Sequence, residues 1–286
     1  MLEHLVPEGV GPMPAEKYIR RAWPMLPGRV VRALAGKRDI RRNGTRIGGT
    51  DPVAGGDALI LYLPDRYLPG PAECVFNDGH LLAVVKPQGL PVDADRDGIG
   101  ADTLRTRLER LDPRARLCHR LDAPAGGLVF AALDDATYAA MLETFRVHAL
   151  RKRYLAVARG GFGERSGTLR AWLVKDAKNA VVRITHRPAP GAREIETRYR
   201  VLDERDGAAR VFLEPVTGRT HQLRAHMADF GHPLLGDDLY GDRAFNRRLG
   251  GGLRLWCAAM VLSPESPLTE YRNRTFEAPP PEWWAE

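Results

Sequence analysis

A chain of 286 residues, 44% hydrophobic and 28% charged, has enough apolar material for one large or two smaller folded domains. No apolar run in it is long enough to span a bilayer. Its formal charge of +7, with only six lysines among 43 basic residues, favours a polyanionic partner over a membrane, because guanidinium forks suit phosphates and stack on bases. Cys74, Cys118 and Cys257 are odd in number, scattered and without a C-x-x-C pair, which argues against a disulfide framework and a zinc site. The opening MLEHLVPEGVGPMPAEK lacks the basic head and apolar middle of a secretory signal, so the cytoplasm is the expected compartment.

From residue 18 to residue 63 the pattern is small and self-contained. Residues 30–34 predict a helix with basic residues beside the apolar ones, and Lys37, Arg38, Arg41 and Arg42 add four cations. Asn43-Gly44 predicts a tight turn, Gly55-Gly56-Asp57 a second, and residues 58–63 a strand. The segment 64–71, PDRYLPGP, reads as a linker. This places a small domain over 1–63, a linker over 64–74 and a larger domain over 75–286.

In the larger region, residues 81–85 predict an apolar strand that leaves through the turn-rich Lys86-Pro87-Gln88-Gly89-Leu90-Pro91. Asp102 is placed to cap a helix with Leu104, Leu108 and Leu111 on one face. Residues 117–133, LCHRLDAPAGGLVFAAL, set the polar knot His119-Arg120-Leu121-Asp122 before a glycine pair and a wholly apolar strand. Asp134 or Asp135 then starts a helix through Ala139, Met141, Leu142 and Phe145. Strands are predicted over 151–157, 168–174, 180–185, 195–201 and 211–213. Helices do not alternate regularly with strands, so the expected class is α+β, a mixed and largely antiparallel sheet with flanking helices rather than a doubly wound fold.

The last dense stretch is TGRTHQLRAHMADFGHPLLGDDLYG, residues 217–241. A helix begun near Thr220 and ended by Gly231 carries Arg219, His221, Gln222, Arg224 and His226, with Leu223 and Met227 facing the core. His221 and His226, five apart, do not share a helix face, which disfavours a metal pair.

Asp122 is the candidate reacting group: a carboxylate at the edge of the core, partly removed from water and close to cations, has the character of a nucleophile or base. Read alone, each motif has a plainer meaning. The HRLD loop could be a backbone-bonded turn, the helix a basic surface touching phosphates, and Tyr154 an ordinary strand aromatic. On the residues alone two functions stay open: a basic RNA-binding or assembly module without chemistry, or a hydrolytic nucleosidase or glycosidase pairing Asp122 with Asp237 or Asp238.

Taken together and in order, Lys86-Pro87-Gln88-Gly89-Leu90, His119-Arg120-Leu121-Asp122 with its Gly127-Leu128 strand, 152–157 (KRYLAV) and 218–226 (GRTHQLRAH) resemble the motifs of RluA-type RNA pseudouridine synthases. The basic helix, Asn-Gly turn, Gly-Asp and strand of residues 1–63 resemble the alpha-L RNA-binding domain, an accessory this family often carries. Phe276, Pro279 to Pro281 and Trp283 are similar to the family's closing segment. The resemblance implies an isomerase that converts uridine in ribosomal or transfer RNA to pseudouridine, without metal or cofactor, acting as a monomer. It implies Asp122 as the essential carboxylate, Tyr154 as the aromatic packed on the target base and Arg224 as the cation paired with Asp122. Arg120 would help displace the nucleotide, and His119, Arg219, His221, Gln222, Lys86, Lys152, Arg38 and Arg41 would contact RNA. Two departures stand out: Ala125-Gly126 where the family usually has Thr-Ser, and Cys257 where a histidine is expected.

Overall fold

The computed structural model describes residues 1–176 and 181–285; Ala180, the first residue of the strand expected over 180–185, lies outside them. The chain divides into two compact units, Met1–Ala72 with Gly89–Ala115, and Glu73–Gln88 with Arg116–Glu286. Where the sequence reading drew one contiguous boundary at 64–74, the chain returns to the first unit over 89–115.

The first unit contains β1 (Leu2–Leu5), β2 (Met13–Pro14), α1 (Ala15–Ala22), α2 (Gly28–Lys37), β3 (Ile40–Arg42), β4 (Thr45–Ile47), β5 (Pro52–Val53), β6 (Ala58–Leu61) and α3 (Leu104–Leu111). Its antiparallel sheet runs β1-β6-β3-β4, and β2 pairs with β5. Helix α2 turns Val31 and Leu34 into a core shared with Tyr18, Ile19, Trp23, Ile40 and Leu59, while Arg29 and Arg32 face out. Asn43 and Gly44, with φ of 50° and 83°, make the hairpin turn between β3 and β4. The strand expected over 58–63 ends at Leu61.

Helix α3 corrects one expectation. Its N-cap is Thr103, in a reciprocal capping box with Thr106, not Asp102. Asp102 is buried instead and accepts two hydrogen bonds from Arg107, at 2.7 and 2.8 Å. Leu104 and Leu108 are buried, whereas Leu111 is exposed.

The second unit is built on β7 (Glu73–Asn77), β8 (Leu81–Lys86), β9 (Arg116–Leu117), β10 (Gly126–Ala132), α4 (Asp135–Arg146), β11 (Leu150–Arg159), β12 (Ser166–Asp176), β13 (Val181–Thr185), β14 (Arg193–Arg205) and β15 (Ala208–Pro215). It continues with α5 (Gln222–Asp229), α6 (Arg243–Leu249), β16 (Leu255–Leu262), β17 (Thr275–Glu277) and α7 (Glu282–Ala285). The described strands form one sheet in the order β13-β12-β14-β15-β11-β16-β10-β8-β7, with β17 on β16 and β9 on β10. Every pairing is antiparallel except β10 with β16. The α+β class and the largely antiparallel sheet are those expected.

Strand β10 is buried along its whole length, as its unbroken apolar run requires. Asp134 caps α4 by accepting from the Thr137 N–H at 2.8 Å. The inward face of α4 is Thr137, Met141 and Thr144, while Ala139 and Leu142 are exposed. Helix α5 lies across β12 to β15, and Ala225 joins Ala171, Leu173, Val182 and Ile195 in a small core beneath it.

Candidate active site

The glycine pair fixes where the Asp122 loop meets the sheet. A Cβ on Gly127, whose φ is 108°, would lie 2.2 Å from the Cys257 carbonyl oxygen, and one on Gly126 would meet the Trp256 ring at 2.4 Å. Only hydrogen at these positions lets β10 run beside β16, where Gly126 pairs with Trp256 and Gly127 with Cys257. The glycines therefore belong to the strand itself rather than to the loop before it. Leu121, buried, anchors the loop, and the Asp122 carbonyl accepts from the Ala125 N–H at 3.1 Å. The Asp122 carboxylate is left one-quarter exposed.

Basic side chains flank it. Arg224 Nη1 lies 3.6 Å from Asp122 Oδ2, and His221 Nε2 lies 3.9 Å from Oδ1. Arg224 is 2% exposed and its strongest bonds go elsewhere: Nε and Nη2 donate to Asp237 at 2.7 and 2.8 Å, and Nη2 also to Asp238 at 2.9 Å. The Asp122–Arg224 pairing expected from the motifs is thus an ion-pair approach, while the two-pronged partner is Asp237. Burial alone would raise the Asp237 carboxyl, but the Arg224 guanidinium and the Tyr240 and Leu239 N–H groups outweigh it and hold the group below its ordinary range. Asp237 therefore fixes the direction in which Arg224 points and leaves one edge of the guanidinium toward Asp122.

His221 sits at the entrance of α5 in the left-handed region, with φ of 54°, and its Nδ1 shares a 2.9 Å hydrogen bond with the Tyr240 hydroxyl. Burial lowers its pKa, with Asp122 pulling the other way. The helix starts at Gln222 rather than near Thr220, and Gln222 is a framework residue. Buried, it donates to the Glu196 carbonyl and the Thr197 hydroxyl and accepts from the Arg219 N–H and the Thr217 hydroxyl. Arg219 is exposed on the preceding turn.

Strand β11 delivers Tyr154 beside Cys257 at a bulge between Arg153 and Tyr154, a device that re-aims a side chain. Tyr154 is 7% exposed. Its phenol is raised well above its usual pKa by burial, and then by the Cys257 thiol and Asp122 nearby. Cys257 is fully buried, which pushes its thiol up to about 12. So the residue standing where a histidine was expected packs against the tyrosine as a neutral group.

Lys86 is fully buried at the end of β8. Its ammonium donates to the Ala123 carbonyl at 3.0 Å, within the Asp122 loop, and to the Pro87 carbonyl at 3.1 Å. Burial pulls its pKa down to about 7, partly opposed by Asp122. Lys152 packs over the Phe145 ring, 5.8 Å from its centroid, and burial lowers it too.

His119 turns inward. Its Nε2 accepts from the Phe130 N–H at 3.0 Å, its ring packs on Phe145, and burial drives its pKa to about 3, so it is a neutral brace for the loop. Arg120, its neighbour, is exposed. Arg38 and Arg41 lie in the first unit. Arg38 caps α2 in the left-handed region and is exposed, and Arg41 lies 5.7 Å from the centre of the Tyr62 ring.

The second unit thus brings Asp122, Tyr154, Arg224, His221 and Lys86 together and turns His119 and Gln222 into supports. Asp237 and Tyr240 are the site residues that sequence reasoning did not put beside Arg224. Their signal was the run 236–241, GDDLYG, directly after a basic helix. With Asp237 and Asp238 both engaged by Arg224, neither stands as a second acid facing Asp122 across a bond, as a hydrolytic nucleosidase would need. Among the described residues no group of three or more His, Cys, Asp or Glu side chains is arranged to hold a metal. No described helix is long and apolar enough to cross a membrane.

Comparison with known proteins gives a consistent result. The RNA pseudouridylate synthase family model matches residues 80–229. Ribosomal large subunit pseudouridine synthase C of Escherichia coli is 31% identical over 289 residues, covering 92% of this chain and 88% of that protein. The Vibrio cholerae protein of the same name is 30% identical over 250 residues, covering 81% and 78%. The solved structure of human RNA Pseudouridylate Synthase Domain Containing 1 superimposes with a TM-score of 0.60 at 25% identity, over 74% of this chain and 83% of that one.

Proposed function

We propose, since this chain belongs to the RNA pseudouridylate synthase family and is an RNA pseudouridine synthase, that it isomerises uridine in large-subunit ribosomal RNA through the carboxylate of Asp122. Transfer RNA is the second candidate substrate. The observation that carries the assignment of Asp122 is its placement: one-quarter exposed, 3.6 Å from a buried guanidinium, on a loop pinned by Lys86. The names of the two bacterial relatives support the choice of ribosomal RNA.

The reaction breaks the bond from ribose to ring nitrogen, and the same ring re-bonds through carbon. The target base cannot be reached while stacked, so the nucleotide turns outward at a cost of a few kcal/mol. Arg120, exposed beside the reacting loop, fills the vacated space or holds a flanking phosphate. Tyr154 packs on the everted ring, a contact of about 1–3 kcal/mol. Its neutral phenol adds no charge beside Asp122. Arg224 offsets the carboxylate charge without bonding it so tightly that it ceases to react, because Asp237 takes both prongs of the guanidinium. Arg219, exposed on the turn before α5, meets a flanking phosphate. In the first unit, Arg38 and Arg41 hold RNA as an alpha-L domain does.

The test is pseudouridine mapping of RNA from cells lacking the protein, complemented with wild type or Asp122→Asn. Loss of a defined pseudouridine, restored by wild type and not by the variant, is expected. If every pseudouridine persists in the deletion, or if Asp122→Asn restores the missing one, the assignment fails; the second outcome marks an RNA-binding module without chemistry.

A further inference from the structure

The other face of the sheet carries a feature that the isomerisation does not use. Along β11 the side chains alternate: Lys152 and Tyr154 point toward the Asp122 loop, and Arg151, Arg153 and Leu155 point away from it. There they line a groove of about 770 Å³, within the roughly 300–1,000 Å³ range of ligand clefts. Its far wall is Arg198 and Arg200 on β14, and its floor includes Leu155 and Phe212. The segment from Glu277 to Pro280 closes one side.

We propose that this groove binds a second stretch of the RNA substrate, single-stranded, with phosphates on the arginines and bases against Phe212 and Leu155. The inference rests on the reading of the chain as an RNA enzyme and extends it to a surface remote from the reacting carboxylate. Two arginine rows stand on strands separated by β15, hence about 10 Å apart. Arg151, Arg153, Arg198 and Arg200 are exposed. Among the described residues, no carboxylate forms an ion pair with Arg151, Arg153 or Arg200 within 4.0 Å. Arg198 is shared between Glu196 at 3.6 Å and Glu214 at 3.5 Å, and Glu277 stands on the rim, so the positive balance of the groove comes from Arg151, Arg153 and Arg200. Arg200 lies 5.0 Å from the centre of the Phe212 ring, so cation and aromatic surface face the groove together. A basic trough with an aromatic floor is how proteins hold single strands without reading their sequence. An acidic protein segment would satisfy the arginines but has no use for the aromatic floor.

The test uses the full chain and a fluorescein-labelled 20-nucleotide polyuridylate carrying 4-thiouridine. Photocross-links are expected in the peptides holding residues 151–155 and 208–215. Arg151→Gln/Arg153→Gln should weaken binding several-fold at 100 mM salt and flatten the salt dependence by about 1.4 in log–log slope, the value for two phosphates lost from a single strand. Arg198→Gln/Arg200→Gln should do the same, and both variants should keep the wild-type melting temperature, since the side chains are exposed. Unchanged affinity and slope in both variants, or cross-links confined to the Asp122 face, overturn the inference. So does displacement of the arginines' role onto protein: polyglutamate bound by wild type and lost in both variants, with polyuridylate unaffected. If polyuridylate binds as described but no pseudouridine is formed on any RNA, the function fails and the groove stands. Pseudouridine formation with no effect of the groove variants leaves the function and removes the groove.

Discussion

Replacing Arg224 with leucine should cost the fold about 3 kcal/mol, and the figure can be assembled from its partners. Removing one member of a buried ion pair costs about 3–5 kcal/mol because a charge is left uncompensated. Asp237, 0% exposed, is that charge. It keeps the N–H groups of Leu239 and Tyr240, each at 2.9 Å, which places the loss at the low end of the range. The bond to Asp238 adds little, because that carboxylate is 79% exposed. For a domain of this size, about 3 kcal/mol lowers the melting temperature by about 6–12 °C. Arg224→Leu/Asp237→Leu removes both charges and should recover most of the loss, while pseudouridine formation stays abolished because Asp122 has lost its cation. The pH dependence has a fixed sign. The Asp237 carboxyl is depressed in the folded chain, so its contribution is complete above its unfolded value of about 3.9 and fades as pH falls through the folded one. The gap between wild type and Arg224→Leu should therefore narrow below about pH 4. Thermal and urea unfolding of wild type, single and double variants from pH 3 to 8 measure all of this. A single-variant loss under about 1 kcal/mol, or a double variant no more stable than the single, would refute the reasoning.

Asp122→Asn should reduce pseudouridine formation by at least about 10²-fold, the scale of one positioned catalytic group. It should leave stability within about 1 kcal/mol, as expected for a partly exposed side chain; nucleoside mass spectrometry and a melting curve check both. Gly127→Ala places a methyl group inside the Cys257 backbone at a φ of 108°, and should cost about 3 kcal/mol in urea unfolding, combining strain with overpacking. Lys86 gives an alkaline signature. Its folded value of about 7 lies below an unfolded value of about 10.4, so between those limits the unfolded chain holds more protons and stability rises with pH by up to about 1.4 kcal/mol per unit. Lys86→Met should lack that rise, and unfolding curves of both proteins at pH 7, 8 and 9 decide the point.

The sheet and most of its strands are legible in the sequence because a buried strand announces itself by unbroken apolar character, whereas the residues meeting at Asp122 are legible only through the ordered motifs that resemble the family's. Less legible were the details decided by partners distant in the chain. Asp102 has the chemistry of a cap, yet Thr103 is one residue nearer to the first turn, and Arg107 offers Asp102 a two-pronged bond. The motifs point Arg224 toward Asp122, from which it lies 3.6 Å, but they carry no sign that a fully buried aspartate thirteen residues later takes both of its prongs. His119 and Gln222 are polar residues in polar motifs, and only the packing of Phe130 and Phe145, or the carbonyl of Glu196, shows that they face inward. A linear reading also cannot see residues 89–115 rejoin the first unit.

The parallel pairing of β10 with β16 bears on how the enzyme comes into being. Strand β16 is flanked by β11 on one side and β10 on the other. Asp122 and Lys86 belong to the portion beyond β10, while Tyr154 comes from β11, and Arg224 from a helix resting on β12 to β15. On the ribosome, these four residues are all synthesised well before residue 255, yet the two halves acquire their common seam only when residues 255–262 arrive. A nascent chain halted at residue 250 would hold all four side chains without the strand that joins their two halves, so their assembly waits on a late strand that supplies none of them.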